Sequence, residues 1–233
     1  MMISVVVPAY NEHERIVKTL AGIAALPFDK EVIVVDDGSR DETAVIAEQS
    51  GADIVLRVPH GGKGRALQAG CKVAQGTVVL LLDADLGDSA AYAGSLITPL
   101  VDGAADMTIA ILPGSGKRGG GFGMVVRLAR LGIRLYTGRY TRAPLSGQRA
   151  IKRELLESVG GFVDGWGAEA ALTILALTAN FRVLEVECNL KHRVTGRSFT
   201  DILHRISQFK DVLLTLLTLR SRVRALKMTG AKR

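Results

Sequence analysis

The segment Val78-Val79-Leu80-Leu81-Leu82-Asp83-Ala84-Asp85 turns from continuously apolar to acidic within one residue. Five apolar residues in a row are too few for a buried helix, and they lack the alternation of a strand with one wet face. They read as a strand covered on both sides. Such strands belong to parallel sheets whose crossovers are helices. The change to carboxylates then places Asp83 and Asp85 beyond the strand's carboxyl end.

On either side of this segment the same alternation recurs. β-Branched runs over 3–7, 31–35 and 53–58 are each followed by helical spacing, over 12–26, 41–49 and 64–74, and the acidic strand itself is followed by a helix over 90–101. Asn11 is expected to cap the first helix, and Ser39 with Glu42 to form a capping box on the second. A further strand is expected near 107–112. The glycine-rich stretch 114–123 breaks the pattern and reads as a loop, and a basic amphipathic helix follows over 124–137 with Val125, Leu128, Ala129 and Leu135 on its apolar side. A last amphipathic helix is expected over 198–227. The fold class is therefore α/β, a mostly parallel central sheet with helices on both faces and a C-terminal amphipathic helix.

A chain of 233 residues suits one large domain. The N-terminal apolar run meets Asn11 and Glu12 at once and has no basic region before it, so a signal peptide is not expected. No apolar run approaches the ~20 residues of a membrane span. Cys71 and Cys188 lack partners at metal-ligand or disulfide spacing, which fits a reducing cytoplasm. The net charge of +7 is segregated: residues 107–153 hold ten Lys/Arg and no acid, and residues 212–233 hold six and no acid. The acidic remainder suits a metal, and the basic segments suit phosphate-rich partners or an anionic membrane surface. With 5% aromatic residues and no stacking motif, nucleic acid is not an expected partner.

Ligands of open parallel sheets bind beyond the carboxyl ends of the strands. Three such ends are polar here: Pro8-Ala-Tyr-Asn-Glu12, Asp36-Asp37-Gly38-Ser39 and Asp83-Ala84-Asp85. Two carboxylates at i and i+2 can approach one hard cation, Mg²⁺ or Mn²⁺, that also takes diphosphate oxygens.

Together with Gly62-Lys-Gly64 and Ser146-Gly-Gln-Arg149, these motifs resemble family 2 glycosyltransferases of the GT-A fold, over most of the first 195 residues. Within that family, Ser146-Gly-x-Arg149 and Arg193-x-x-Gly196-x-Ser198 are most similar to polyprenyl-phosphate sugar synthases of the dolichol-phosphate mannose or glucose type. Gly165-Trp-Gly-Ala-Glu169 and Lys191-His-Arg193 also resemble glucosyl-3-phosphoglycerate synthases.

The resemblance implies a nucleotide-sugar-binding half over 1–112 and an acceptor-binding half over 113–197, followed by a basic helix and tail over 198–233. It implies donor binding by Pro8, Tyr10, Glu12, Asp36, Asp37, Lys63, Asp83 and Ala84, and metal binding by Asp83 and Asp85. Gly87 and Asp88 replace the Gln-His that commonly follows the acidic motif in polyprenyl-phosphate enzymes, and His192 is the alternative third ligand. Nothing in the residues distinguishes the bases; UDP is taken over GDP.

Departure of the nucleotide diphosphate builds negative charge that Asp85's metal and basic groups stabilise. A hydroxyl acceptor needs a carboxylate to receive its proton, for which Glu169 is the candidate; a phosphate acceptor needs none. The basic segment favours a phosphorylated acceptor. By resemblance Ser146, Gly147, Arg149 and Arg193 touch it, and Arg118 closes over it. Three alternatives stay open: a soluble transferase to a small acid, a non-catalytic polyanion or nucleotide-sugar binder, and a C-terminal helix that covers itself with the catalytic domain or a second subunit instead of lying on a membrane.

Overall fold

The computed structural model describes residues 1–113, 122–163, 165–191 and 199–230. Its sheet has seven strands: β1 (Ile3–Ala9), β2 (Lys30–Asp36), β3 (Ile54–Arg57), β4 (Val78–Leu81), β5 (Met107–Ile111), β6 (Arg149–Lys152) and β7 (Val183–Glu187). They lie in the order β3-β2-β1-β4-β6-β5-β7, with β6 antiparallel to both neighbours and the other pairings parallel. The acidic strand is β4, and all four of its residues are buried.

The helices cover both faces. Val5 and Val7 of β1 enter one core with α1 (Ile16–Ala24), α4 (Gly94–Val101) and the 3₁₀ turn Gly87–Ala93. Val6, between them, enters the other with α3 (Lys63–Val73), α5 (Phe122–Thr137), α6 (Arg153–Ser158) and α7 (Ala168–Thr178). Alternation between two covered faces is why Val5, Val6 and Val7 follow one another without a polar break. A short α2 (Thr43–Gln49) follows β2.

Two expected caps are corrected. α1 starts at Ile16, past the reach of Asn11, and α2 starts at Thr43 without a bond from Ser39. Asn11, at φ 55°, instead accepts from the Arg40 N–H at 2.8 Å, while its own N–H donates to Ser39 Oγ at 2.9 Å. Both residues tie the end of β1 to the end of β2. Asp41 takes the N–H and the hydroxyl of Thr43, so the polar group at the start of α2 is Asp41.

The expected C-terminal helix is two, α8 (Phe199–Thr218) and α9 (Arg220–Gly230). Val212, Leu216, Leu219 and Val223 are buried in the same core as the sheet. Tyr136 of α5 donates to the Leu216 carbonyl at 2.6 Å, and a Cβ on Gly132 or Gly167 would collide with Leu216 or Thr215 respectively. α8 therefore packs backbone-close on α5 and α7 as part of the catalytic body. Leu135, expected on the buried side of α5, is 76% exposed; Ile133 is buried in its place. Met124, Leu131 and Leu135 form an exposed second stripe on α5, flanking the one that packs, which includes the partly buried Leu128. Among the described residues no helix is long and apolar enough to cross a membrane.

Candidate active site

The chain runs outward from β1 to β2 and β3, then returns to β4 on β1's other side. The two crossovers leave the carboxyl ends of β1 and β4 in opposite directions and open a crevice there. A cavity of about 380 Å³ lies in it, a size suited to a small-molecule ligand. Of the expected donor-site residues, Pro8, Tyr10, Glu12, Asp37, Lys63, Asp83 and Ala84 line it, as does Asp85; Asp36 does not.

Asp83 and Asp85 face one cavity from a single turn, which is held from behind by α1. The Thr19 hydroxyl donates to the Ala84 carbonyl at 2.7 Å and accepts from the Gly87 N–H at 2.9 Å, and Thr19 is wholly buried. Gly22, one turn on, packs closely on the same turn, and a Cβ there would lie 3.0 Å from Ala90 Cβ and 3.1 Å from the Gly87 carbonyl. Lys63 Nζ donates to Asp83 Oδ1 at 2.5 Å. Burial opposes the lysine's charge, but Asp83, Glu169 and Asp85 outweigh it and hold its pKa above the ordinary range. No third carboxylate, His or Cys completes a metal cluster among the described residues.

Asp36 and Asp37 are both buried and serve loops. Asp36 Oδ1 accepts from the Ser39 N–H at 3.2 Å. The Asp37 carboxylate takes the N–H groups of Gly61 and Gly62 at 2.8 and 2.9 Å, and His60 Nδ1 lies 3.0 Å from it. Asp37 thus shapes the turn that launches α3 and aims Lys63 at the cavity. The same turn stacks His60 on Tyr10, with ring centroids 4.5 Å apart.

On the acceptor side, Glu169 is 9% exposed in the first turn of α7, where the helix N-terminus favours a carboxylate. Its charge acts on both Lys63 and Arg149. Gly147 lies against the lysine: a Cβ there would overlap Lys63 Nζ. Ser146 Oγ is buried without a hydrogen-bond partner among the described residues. Arg149, expected at the acceptor, is fully buried, and its guanidinium is enclosed by Ser146, Pro144 and Thr173. Arg118, His192 and Arg193 lie outside the described residues.

The sequence reading missed Thr19 and His60, and assigned Trp166 no role although it lines the cavity. Thr19 sits on the apolar face of a helix, where only its hydroxyl hints at a task. His60 is one residue before the Gly-Gly-Lys run, and that adjacency was its signal.

Comparison with known proteins agrees with this geometry. Residues 4–160 match the model of glycosyl transferase family 2. An uncharacterised glycosyltransferase of Mycobacterium tuberculosis is 32% identical over 199 residues, 84% of this chain and 88% of that protein. A dolichyl-phosphate beta-glucosyltransferase of Trichomonas vaginalis is 41% identical over 97 residues, 36% of this chain and 30% of its own length. The structure of glucosyl-3-phosphoglycerate synthase from M. tuberculosis, in complex with Mn²⁺, UDP and phosphoglyceric acid, superimposes with a TM-score of 0.76 at 30% identity, covering 95% of this chain and 78% of that one. A crevice at the β1/β4 switch point, an acidic turn facing it and a match across most of the sheet make this chain a GT-A glycosyltransferase that belongs to glycosyl transferase family 2.

Proposed function

We propose that the protein transfers a sugar from a UDP-sugar, with Mg²⁺ or Mn²⁺, to a phosphorylated acceptor, and that this acceptor is a polyprenyl phosphate reached at a membrane surface. The observation that carries the donor half is the convergence of Tyr10, Lys63, Asp83 and Asp85 on one cavity. Two carboxylates at i and i+2 of one turn are the hard oxygen donors that Mg²⁺ and Mn²⁺ take, and Asp83 and Asp85 would hold the ion. When bound, the ion supplies Lewis-acid neutralisation of the leaving diphosphate. Lys63, kept cationic by its acidic neighbours, adds a fixed positive charge beside the same group. Tyr10, backed by His60, offers a ring face to the base. Trp166 lines the same cavity and offers a second aromatic surface to the donor. A phosphate acceptor is already a nucleophile, so Glu169 then serves to balance Lys63 and Arg149 rather than to take a proton.

The lipid reading is supported by the surface of α5 and α8. Met124, Leu131 and Leu135 on α5, with Leu213, Leu214 and Leu217 on α8, are all exposed. Arg127, Arg134, Lys210 and Arg220 stand exposed beside them. Leu216 faces Gly132 while Thr215 faces Gly167, so the Leu213 and Leu217 flank of α8 turns away from α7. Paired with a second copy about a two-fold axis, this face would set like charges together, whereas an anionic bilayer gains about 1 kcal/mol per basic residue near its surface.

A second reading has a specific observation behind it: the M. tuberculosis structure with phosphoglyceric acid covers nearly the whole chain. Release of UDP from UDP-glucose, measured with Mn²⁺ and either a short-chain polyprenyl phosphate or 3-phosphoglycerate, separates the two. Turnover with the lipid alone is expected. Turnover with 3-phosphoglycerate alone would replace the lipid reading, and salt-insensitive failure to float with anionic liposomes would remove the membrane surface.

A further inference from the structure

We infer that Arg149 is a positioning residue that joins the acceptor-side loop to the donor-side lysine without touching either substrate. The inference rests on the donor-site reading above.

A fully buried guanidinium is costly unless its donors are used. Arg149 uses its fork on two segments. Nε donates to the Ser146 carbonyl at 2.8 Å and Nη2 to the Pro144 carbonyl at 3.2 Å, so both bonds fix the backbone of one loop. Nη1 donates to Thr173 Oγ1 at 2.9 Å, and that hydroxyl donates on to the Glu169 carbonyl at 2.9 Å, which fixes the first turns of α7. The charge is retained inside: burial pulls the pKa down to about 10, opposed by Glu169 and Glu185, and the group stays cationic at neutral pH.

The loop so held carries Gly147 next, and Gly147 has no space for a Cβ because Lys63 Nζ occupies it; Asp83 Oδ1 is 3.5 Å from the same point. A shift of the Ser146 carbonyl therefore moves Gly147 against Lys63, and Lys63 is bonded to Asp83. Arg149 holds the loop on one side of Gly147 and Lys63 meets Gly147 on the other, with Glu169 acting on both cations. The guanidinium sets the separation between the acceptor loop and the diphosphate site, a distance on which transfer depends steeply. Lysine in its place would keep the charge but, as a point donor on a flexible stem, could not bridge both carbonyls and Thr173 at once.

Arg149→Lys and Arg149→Met separate positioning from bulk stability. Three readouts apply: UDP affinity with Mn²⁺ from the fluorescence of Trp166, the only tryptophan; UDP release from UDP-glucose; and hydrogen exchange of the amides of residues 145–148. For Arg149→Lys we expect UDP affinity within about twofold of wild type, faster exchange confined to that loop, and kcat lowered about 100-fold at unchanged donor KM. Arg149→Met should reproduce the loop exchange with a larger loss of kcat. Wild-type kcat in Arg149→Lys overturns the inference. So does a parallel fall of thermal stability, UDP affinity and kcat, which a merely structural arginine would give. Exchange needs no nucleotide: unchanged loop exchange overturns positioning whatever UDP does, whereas a wild type that ignores UDP and Mn²⁺ overturns only the donor reading.

Discussion

Lys63 and Asp83 form an ion pair across the donor cavity, Nζ to Oδ1 2.5 Å, and the backbone of Gly147 closes over it. The pair links α3 to the turn after β4, two elements that neither share a strand pairing nor follow one another directly. With its pKa raised by Asp83, Glu169 and Asp85 against the opposing effect of burial, the lysine stays protonated through the neutral and mildly alkaline range. Lys63→Met should lower kcat by about 10²-fold or more, the scale of losing one preorganised charge at a departing anion. Turnover by UDP release checks this, and a loss below threefold would remove Lys63 from the chemistry.

Gly147→Ala places a methyl group where the lysine nitrogen lies. The backbone of Gly147 is not in the left-handed region, so alanine brings a contact and no φ strain. We expect kcat to fall about tenfold with a melting temperature within a few degrees of wild type. A variant that unfolds instead would mean the loop is needed for the core.

Asp85→Ala should abolish the Mn²⁺-dependent stabilisation by UDP while leaving the nucleotide-free melting curve unchanged. At ligand concentrations 100 times Kd the lost stabilisation is about 2.7 kcal/mol. Differential scanning fluorimetry with and without Mn²⁺ reads it directly. Equal shifts in both proteins would take the cation away from this carboxylate.

Thr19→Val keeps the shape of a buried side chain and removes its hydroxyl, leaving the Ala84 carbonyl and the Gly87 N–H without that partner. The expected cost is about 1–3 kcal/mol. Because the turn carries Asp83 and Asp85, half-maximal Mn²⁺ should rise as well. Denaturant melts and metal titration of activity measure the two effects, and stability loss without any change in metal response would confine Thr19 to packing.

Cys71 offers a test in pH. Burial pushes its thiol up to about 12, with nearby Arg153 pulling the other way. Folded chains therefore hold this proton at pH values where unfolded chains have released it, so stability is complete below the ordinary thiol value of about 9 and declines as pH rises toward 12. Cys71→Ala should flatten that alkaline decline, and native protein at pH 8 should react with a thiol reagent far more slowly at Cys71 than unfolded protein does. Equal alkaline slopes for the two proteins would contradict the burial argument.

The parallel half of the sheet was legible because each strand from β1 to β4 carries a run of at least three apolar residues, mostly β-branched or leucine, with polar residues following it. Asp83, Asp85 and Tyr10 were legible as residues at strand ends, where a parallel sheet puts ligands, whereas Lys63 was named only through the resemblance carried by Gly62-Lys-Gly64. β6 and β7 were not. Arg149-Ala-Ile-Lys152 is only four residues long and begins with a charged side chain, so hydropathy disguises a buried strand. Arg149 was named through the resemblance of Ser146-Gly-x-Arg149, and its enclosure by Pro144, Ser146 and Thr173 was not legible because those contacts form only in the tertiary structure. Asn11 and Ser39 had the right chemistry for caps, but the chain spends three more residues in turns before α1 begins, and the two side chains find each other's strand ends.

The place of β6 ties the two parts of the sheet together. Both of its neighbours, β4 and β5, precede it in the chain, yet they touch through it and not each other. A growing chain that has emerged only as far as α5 holds the acidic turn and the donor crevice but a sheet split down the middle. The four residues from Arg149 to Lys152 close that split from inside, and the same event brings Gly147 onto Lys63. The two halves of the site are thus joined through a single short strand that lies between them in space and after both β4 and β5 in the chain.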